Sequence, residues 1–148
     1  MTTSSKARAA DTDSVKPAPP CTLVIFGAGG DLTKRLLMPA IYNLVRSGLI
    51  DDKTRILGVD WTQMTTKIWA ANLTDTMRTF ALGGPAEFHV DAIDSEAWSF
   101  VTERLDYLQG DFLADKTYAA LGRAIEGSAI FYFAVAERFF SPIAAHLG

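Results

Sequence analysis

Runs of adjacent apolar residues alternate along this chain with stretches whose apolar positions recur every three or four residues. Leu23-Val24-Ile25-Phe26 is the first run. Apolar side chains at successive positions predict a strand covered on both faces, over 22–26. Leu36, Leu37, Ala40, Ile41, Leu44 and Val45 follow at helical spacing, with Gly48 as the stop. Pro39 lies inside that span and predicts a kink, or the point where the regular helix begins. Residues 56–59 read as the second strand. Thr65 or Thr66 caps the next helix, whose Trp69, Leu73, Met77 and Phe80 share one face.

Gly83-Gly84-Pro85 interrupts the pattern, and an irregular stretch runs to Asp94. A short helix then starts at Ser95, with Trp98, Val101 and Leu105 on its core side. Residues 105–108 read as a third strand, 114–125 as a helix, 129–135 as a strongly apolar fourth strand and 138–147 as a last helix. Strands separated by helices imply right-handed crossovers. The expected fold is therefore α/β, a Rossmann-type doubly wound parallel sheet, incomplete, with about four strands. The fourth strand should be central, yet nothing within the chain follows to cover its free side, and an exposed apolar edge is an association hazard. One domain is expected over 21–148. Residues 1–20, rich in Ser, Thr, Ala and Pro, read as a disordered tail and carry no apolar segment of a secretory leader.

Chemistry enters where the first strand runs into Gly27-Ala28-Gly29-Gly30-Asp31-Leu32. A strand, a glycine turn and a helix start within ten residues is the anatomy of a dinucleotide site. The glycines let backbone N–H groups approach a pyrophosphate, and the positive end of the helix meets its charge. The G-x-G-x-x-G spacing fails at its last glycine, where Leu32 stands. An ordinary strand-to-helix turn that needs positive φ is the other reading of these residues. A phosphate loop of the G-x-x-x-x-G-K-[ST] type is rejected, because it too demands glycine at Leu32.

The whole stretch from Gly27 to Leu44 resembles the amino-terminal signature of the glucose-6-phosphate dehydrogenase family: G-x-x-G-D-L, a basic residue, then L-x-P-A-L-Y-x-L. The register continues through Gly48-Leu49-Ile50, Ile56-Leu57-Gly58 and Tyr107-Leu108-Gln109-Gly110-Asp111 into Ile130-Phe131-Tyr132-Phe133-Ala134. It covers 22–148. The resemblance implies the coenzyme-binding part of an enzyme that oxidises glucose 6-phosphate to 6-phosphogluconolactone with NADP or NAD, in the oxidative pentose phosphate pathway. It implies a cytoplasmic protein and a homo-oligomer assembled mainly through a second domain. It also implies that catalysis lies beyond residue 148. Family members are several times longer, and their sugar-binding lysine and catalytic histidine sit in motifs that do not occur in this chain. The chain alone is expected to lack activity.

Residue by residue, the resemblance assigns Gly27, Ala28, Gly29, Gly30, Asp31, Leu32, Thr33 and Lys34 to the cofactor pyrophosphate, with Lys34 near its phosphates. Asp31 also suits the helix start as a cap, and Lys34 and Arg35 offset its charge. Asp60 and Trp61 fall at the adenosine end, Asp111 near the adenine half, and Ala134 where nicotinamide and substrate approach. Most family members carry an alanine-arginine pair where Asp60-Trp61 stands, and that arginine grips the extra phosphate of NADP. A carboxylate about 4 Å from a phosphate costs roughly 1 kcal/mol or more, whereas an acid at this place suits ribose hydroxyls. NAD or dual use is therefore expected, with Trp61 stacking on the adenine. A solvated Asp60 beside a Trp61 packed on the neighbouring helix is the alternative. At 135–137, Val135-Ala136-Glu137 departs from the proline pair many members have. Two other classes stay open: an S-adenosylmethionine-dependent methyltransferase, which also ends its second strand in an acid, and a non-catalytic nucleotide-binding module.

Composition changes this picture little. A hydrophobic share of 49% with 21% charged residues is that of an ordinary globular domain. The net charge of -3 gives no electrostatic case for nucleic acid or a membrane surface. No apolar run is long enough to span a bilayer. Cys21 is the single cysteine, so no internal disulfide forms, and at the head of the first strand it reads as a buried, inert thiol. His89 and His146 have no ligand-spaced partners, and no metal site is expected.

Overall fold

The computed structural model describes residues 19–81 and 93–148. Four parallel strands form one sheet in the order β3-β2-β1-β4. They are β1 (Thr22–Phe26), β2 (Arg55–Asp60), β3 (Leu105–Gln109) and β4 (Ala129–Phe133). The α-helices among the described residues are α1 (Met38–Arg46), α2 (Thr66–Ala81), α3 (Ser95–Glu103), α4 (Asp115–Ala124) and α5 (Phe140–Leu147).

The unbroken apolar run of β1 follows from its position. It pairs with β2 on one side and β4 on the other, with Val24 opposite Leu57 and Phe131. Its side chains alternate between two cores. Ile25 and Ile56 pack with Met38, Ile41 and Tyr42 of α1, Trp69, Leu73 and Met77 of α2, and Trp98 of α3. Val24, Phe26, Leu57 and Val59 pack with Phe112, Leu121 of α4 and Ile143 of α5. Each face is thus sealed by helices, and the crossovers deliver every strand's carboxyl end to one edge of the sheet.

Three local features differ from the periodicity. First, Thr33–Leu37 forms a π-turn ahead of α1, closed by the Met38 N–H donating to the Thr33 carbonyl. Pro39, at the start of α1, has no N–H for the carbonyl four residues back, and its ring would clash there. The wider turn avoids that clash and marks where the regular helix begins. An extra residue per turn also shifts the helical phase by about 100°. Leu36 and Leu44 are consequently exposed, while Met38, Ile41 and Tyr42 are buried.

Second, β4 stops at Phe133, and Ala134 and Val135 leave the strand. The Ala134 N–H still reaches the Phe26 carbonyl at 2.8 Å before the chain turns away. Third, β4 is an edge strand of the described sheet rather than a central one, with Ile130, Phe131 and Tyr132 exposed. The Gly83-Gly84-Pro85 break, His89, most of the 1–20 tail and the side chain of Phe80 lie outside the described residues. Cys21 is half-buried.

Candidate functional site

The glycine turn sits at the carboxyl edge, between the ends of β2 and β4. Gly27 adopts φ +93°, and a Cβ there would lie 2.1 Å from the Ala134 carbonyl oxygen, so only glycine fits. The N–H groups of Gly27 and Ala28 both donate to the Val59 carbonyl, at 2.9 and 3.2 Å. The Gly27 carbonyl in turn accepts from the Gly30 N–H and from the hydroxyl of the buried Thr33, each at 2.9 Å. Helical geometry begins at Asp31, and the Lys34 N–H closes on the Gly30 carbonyl at 3.3 Å. The N–H groups of Asp31, Leu32 and Thr33 precede that closing bond. A helix leaves such groups without internal acceptors, and they carry its partial positive charge.

Asp60 ends β2 directly beneath this turn and is 7% exposed. Its Oδ2 accepts the Gly29 N–H at 2.8 Å, and its Oδ1 accepts the Trp61 N–H at 2.8 Å. An ionised carboxylate has about four acceptor sites, so each oxygen keeps capacity for a further donor. Tyr107 of β3 shares this environment. Burial first, and the Asp60 charge second, push its phenol up to about 12. That phenol donates to the Thr62 carbonyl at 2.5 Å. The side chain of Trp61 points outward and is 71% exposed.

The other expected site residues are placed as follows. The Asp31 carboxylate is exposed and pairs with Arg35 one turn on, at 3.3 Å, rather than capping the helix from ahead of it. Leu32 is exposed and Lys34 half-buried, both on the first helical turns after the glycines. Asp111 follows β3. Its Oδ1 accepts the Leu113 N–H at 2.8 Å and its carbonyl accepts the Thr117 hydroxyl at 2.7 Å, which ties it into the turn before α4. Ala134 is buried against Gly27. The fold therefore unites Gly27 to Lys34 with Asp60 and Ala134, while Asp111 stands at the end of the next strand over.

The family model described as "Glucose-6-phosphate dehydrogenase, NAD binding domain" matches residues 24–148. The chain belongs to the glucose-6-phosphate dehydrogenase family. It is 34% identical over 142 residues to the glucose-6-phosphate 1-dehydrogenase of Mycolicibacterium smegmatis, covering 89% of this chain and 27% of that protein. With the Chlamydia pneumoniae enzyme it shares 29% identity over 144 residues, or 91% of this chain and 27% of the relative. The crystal structure of the Mycobacterium avium glucose-6-phosphate 1-dehydrogenase superposes with a TM-score of 0.74 at 27% identity, over 87% of this chain and 26% of that one. The chain thus spans about a quarter of the length of these relatives, and the glycine turn lies within the stretch that matches the NAD binding domain model. The methyltransferase alternative gives way to this match. Among the described residues no helix is long and apolar enough to cross a membrane.

Sequence reasoning missed two residues at the site. Trp69, read as core, also donates its indole N–H to the Ala28 carbonyl at 2.9 Å. Tyr107, read as part of a motif, holds its phenol within reach of the Asp60 charge. The available signal was Gly58, a glycine inside a strand, which marks a close approach. A Cβ at Gly58 would lie 2.5 Å from the Trp69 ring.

Proposed function

We infer that the chain is the coenzyme cradle of a glucose-6-phosphate 1-dehydrogenase that uses NAD, or both NAD and NADP. The observation that carries this reading is the buried Asp60 carboxylate, bonded to Gly29 at the point where the adenosine ribose of a dinucleotide would lie. The segment Gly27 to Lys34 holds the pyrophosphate at its helix start, through the N–H groups of Asp31, Leu32 and Thr33 and the partial positive charge they carry. Asp60 accepts hydrogen bonds from ribose hydroxyls with its remaining lone pairs. Trp61 offers an exposed flat face to the adenine. Asp111 borders the adenine half, and Ala134 borders the nicotinamide end. The fit of the group is supported by Gly27, whose missing side chain lets the turn lie against β4, so that the helix start with the N–H groups of Asp31, Leu32 and Thr33 stands at the sheet edge.

A bound nicotinamide would supply the hydride acceptor for oxidation at C1 of glucose 6-phosphate. In the whole enzyme a base removes the C1 hydroxyl proton. These 148 residues contribute binding and orientation, and the whole protein, with its sugar site, works in the cytoplasm as a homo-oligomer.

The test separates the charge of Asp60 from its hydrogen bond. Asp60→Asn keeps an acceptor for the Gly29 N–H, loses the one used by the Trp61 N–H, and removes the charge that repels a 2′-phosphate. Its affinity for NADP should rise about fivefold relative to NAD, as expected for removing roughly 1 kcal/mol of repulsion at about 4 Å. Asp60→Ala with Trp61→Arg should shift the NADP/NAD ratio further. A ratio unchanged in both variants, measured by calorimetric titration, removes Asp60 from cofactor choice.

A further inference from the structure

The Ala28–Gly29 peptide is gripped at both ends by side chains. On one side Asp60 Oδ2 accepts the Gly29 N–H at 2.8 Å. On the other the indole Nε1–H of Trp69 donates to the Ala28 carbonyl at 2.9 Å, in a fully buried setting. Rotation of this peptide turns on ψ of Ala28 and φ of Gly29, and glycine at 29 tolerates both signs of φ. A rotation that exchanged the N–H and C=O directions would aim the Ala28 oxygen at the Asp60 carboxylate. It would also turn the main chain that leads into the first helical turn.

The indole is held as firmly as the peptide it holds. Trp69 lies in the first turn of α2, where its N–H donates to the Thr65 carbonyl at 3.0 Å and the Thr65 hydroxyl accepts from Ile68 at 3.1 Å. Its ring fills the space left by Gly58 and meets the Tyr107 ring at 5.7 Å. Ala28 is fully buried, so water cannot replace the indole as donor.

We propose that Trp69 is a positioning residue of the dinucleotide site: its indole N–H fixes the Ala28–Gly29 peptide so that the amides of the following helical turn face the pyrophosphate. This rests on the dinucleotide-cradle reading above. Trp69→Phe retains an aromatic ring but removes the donor and part of the buried ring volume, and the adenosine arm separates the two effects. In the 148-residue chain it should weaken NADH and ADP about tenfold, the effect expected when a buried carbonyl loses its partner. Adenosine, which has no pyrophosphate, should change by less than about twofold. Equal loss for all three ligands, or none for any, overturns the proposal. A wild-type chain that binds neither NADH nor ADP overturns the cradle reading itself, and this one with it.

A second measurement needs no variant. The indole N–H of Trp98 is bonded to the Thr74 hydroxyl at 2.9 Å, away from the turn. NADH should slow hydrogen exchange at the Trp69 indole about tenfold more than at the Trp98 indole. Equal slowing of the two overturns a role specific to the site.

Discussion

At Gly27 two demands coincide: a backbone at φ +93° and a Cβ position only 2.1 Å from the Ala134 carbonyl oxygen. Alanine meets neither. Left-handed backbone costs an L-residue about 1–2 kcal/mol, and overpacking adds about 1–3 kcal/mol. Gly27→Ala should therefore lose on the order of 3 kcal/mol in urea unfolding, and a loss under about 1 kcal/mol would mean the turn relaxes away from β4. The need for glycine here was legible in sequence, as was an acid ending the second strand. The bond between that acid and Gly29 was not, because 31 residues separate the two and no spacing rule links them. The role of Trp69 was hidden for a related reason: one apolar ring at helical spacing serves the core and the turn at once, and periodicity registers only the first.

Among the elements, strand positions were legible because apolar runs and glycine or proline breaks agree with one another. Phase was harder to read. Pro39 pointed to a local change in α1, yet not to a π-turn, and the extra residue moved Leu36 and Leu44 off the buried face. The start of α3 shows the opposite case, where local chemistry decides. Asp94 caps it, with Oδ1 accepting the Glu96 and Ala97 N–H groups at 3.0 and 3.2 Å. The Asp94 N–H donates to the Tyr42 hydroxyl at 2.7 Å, which ties the cap to α1. Asp94→Ala should lower stability by about 1 kcal/mol in thermal or urea unfolding. Dinucleotide affinity should stay constant, since the cap lies outside the cradle.

For the molecule as a whole, the parallel sheet followed from the alternation of strands and helices, but the exposure of β4 did not follow from its composition. A strand of Ile, Phe and Tyr reads as interior wherever it sits, and only the order β3-β2-β1-β4 assigns it an edge. The same order sets Tyr107 beside Asp60 and links the site to global stability. Tyr107 has its phenol raised from 10.0 to about 12, by burial first and by the Asp60 charge second. Between those values the folded state keeps a proton that the unfolded chain has released, so stability must fall as pH rises. The contribution is complete below pH 10, declines through the interval and is gone above about 12. Lysines also deprotonate in this range, so the comparison has to be made against Tyr107→Phe, which lacks the ionising group. Urea midpoints should fall more steeply with pH in the wild type than in Tyr107→Phe. Asp60→Asn should give an intermediate slope, because it removes the smaller of the two causes. Parallel slopes in all three proteins would show that the Tyr107 phenol exchanges freely with solvent. The packing that joins Asp60, Trp69 and Tyr107 would then be looser than their contacts imply.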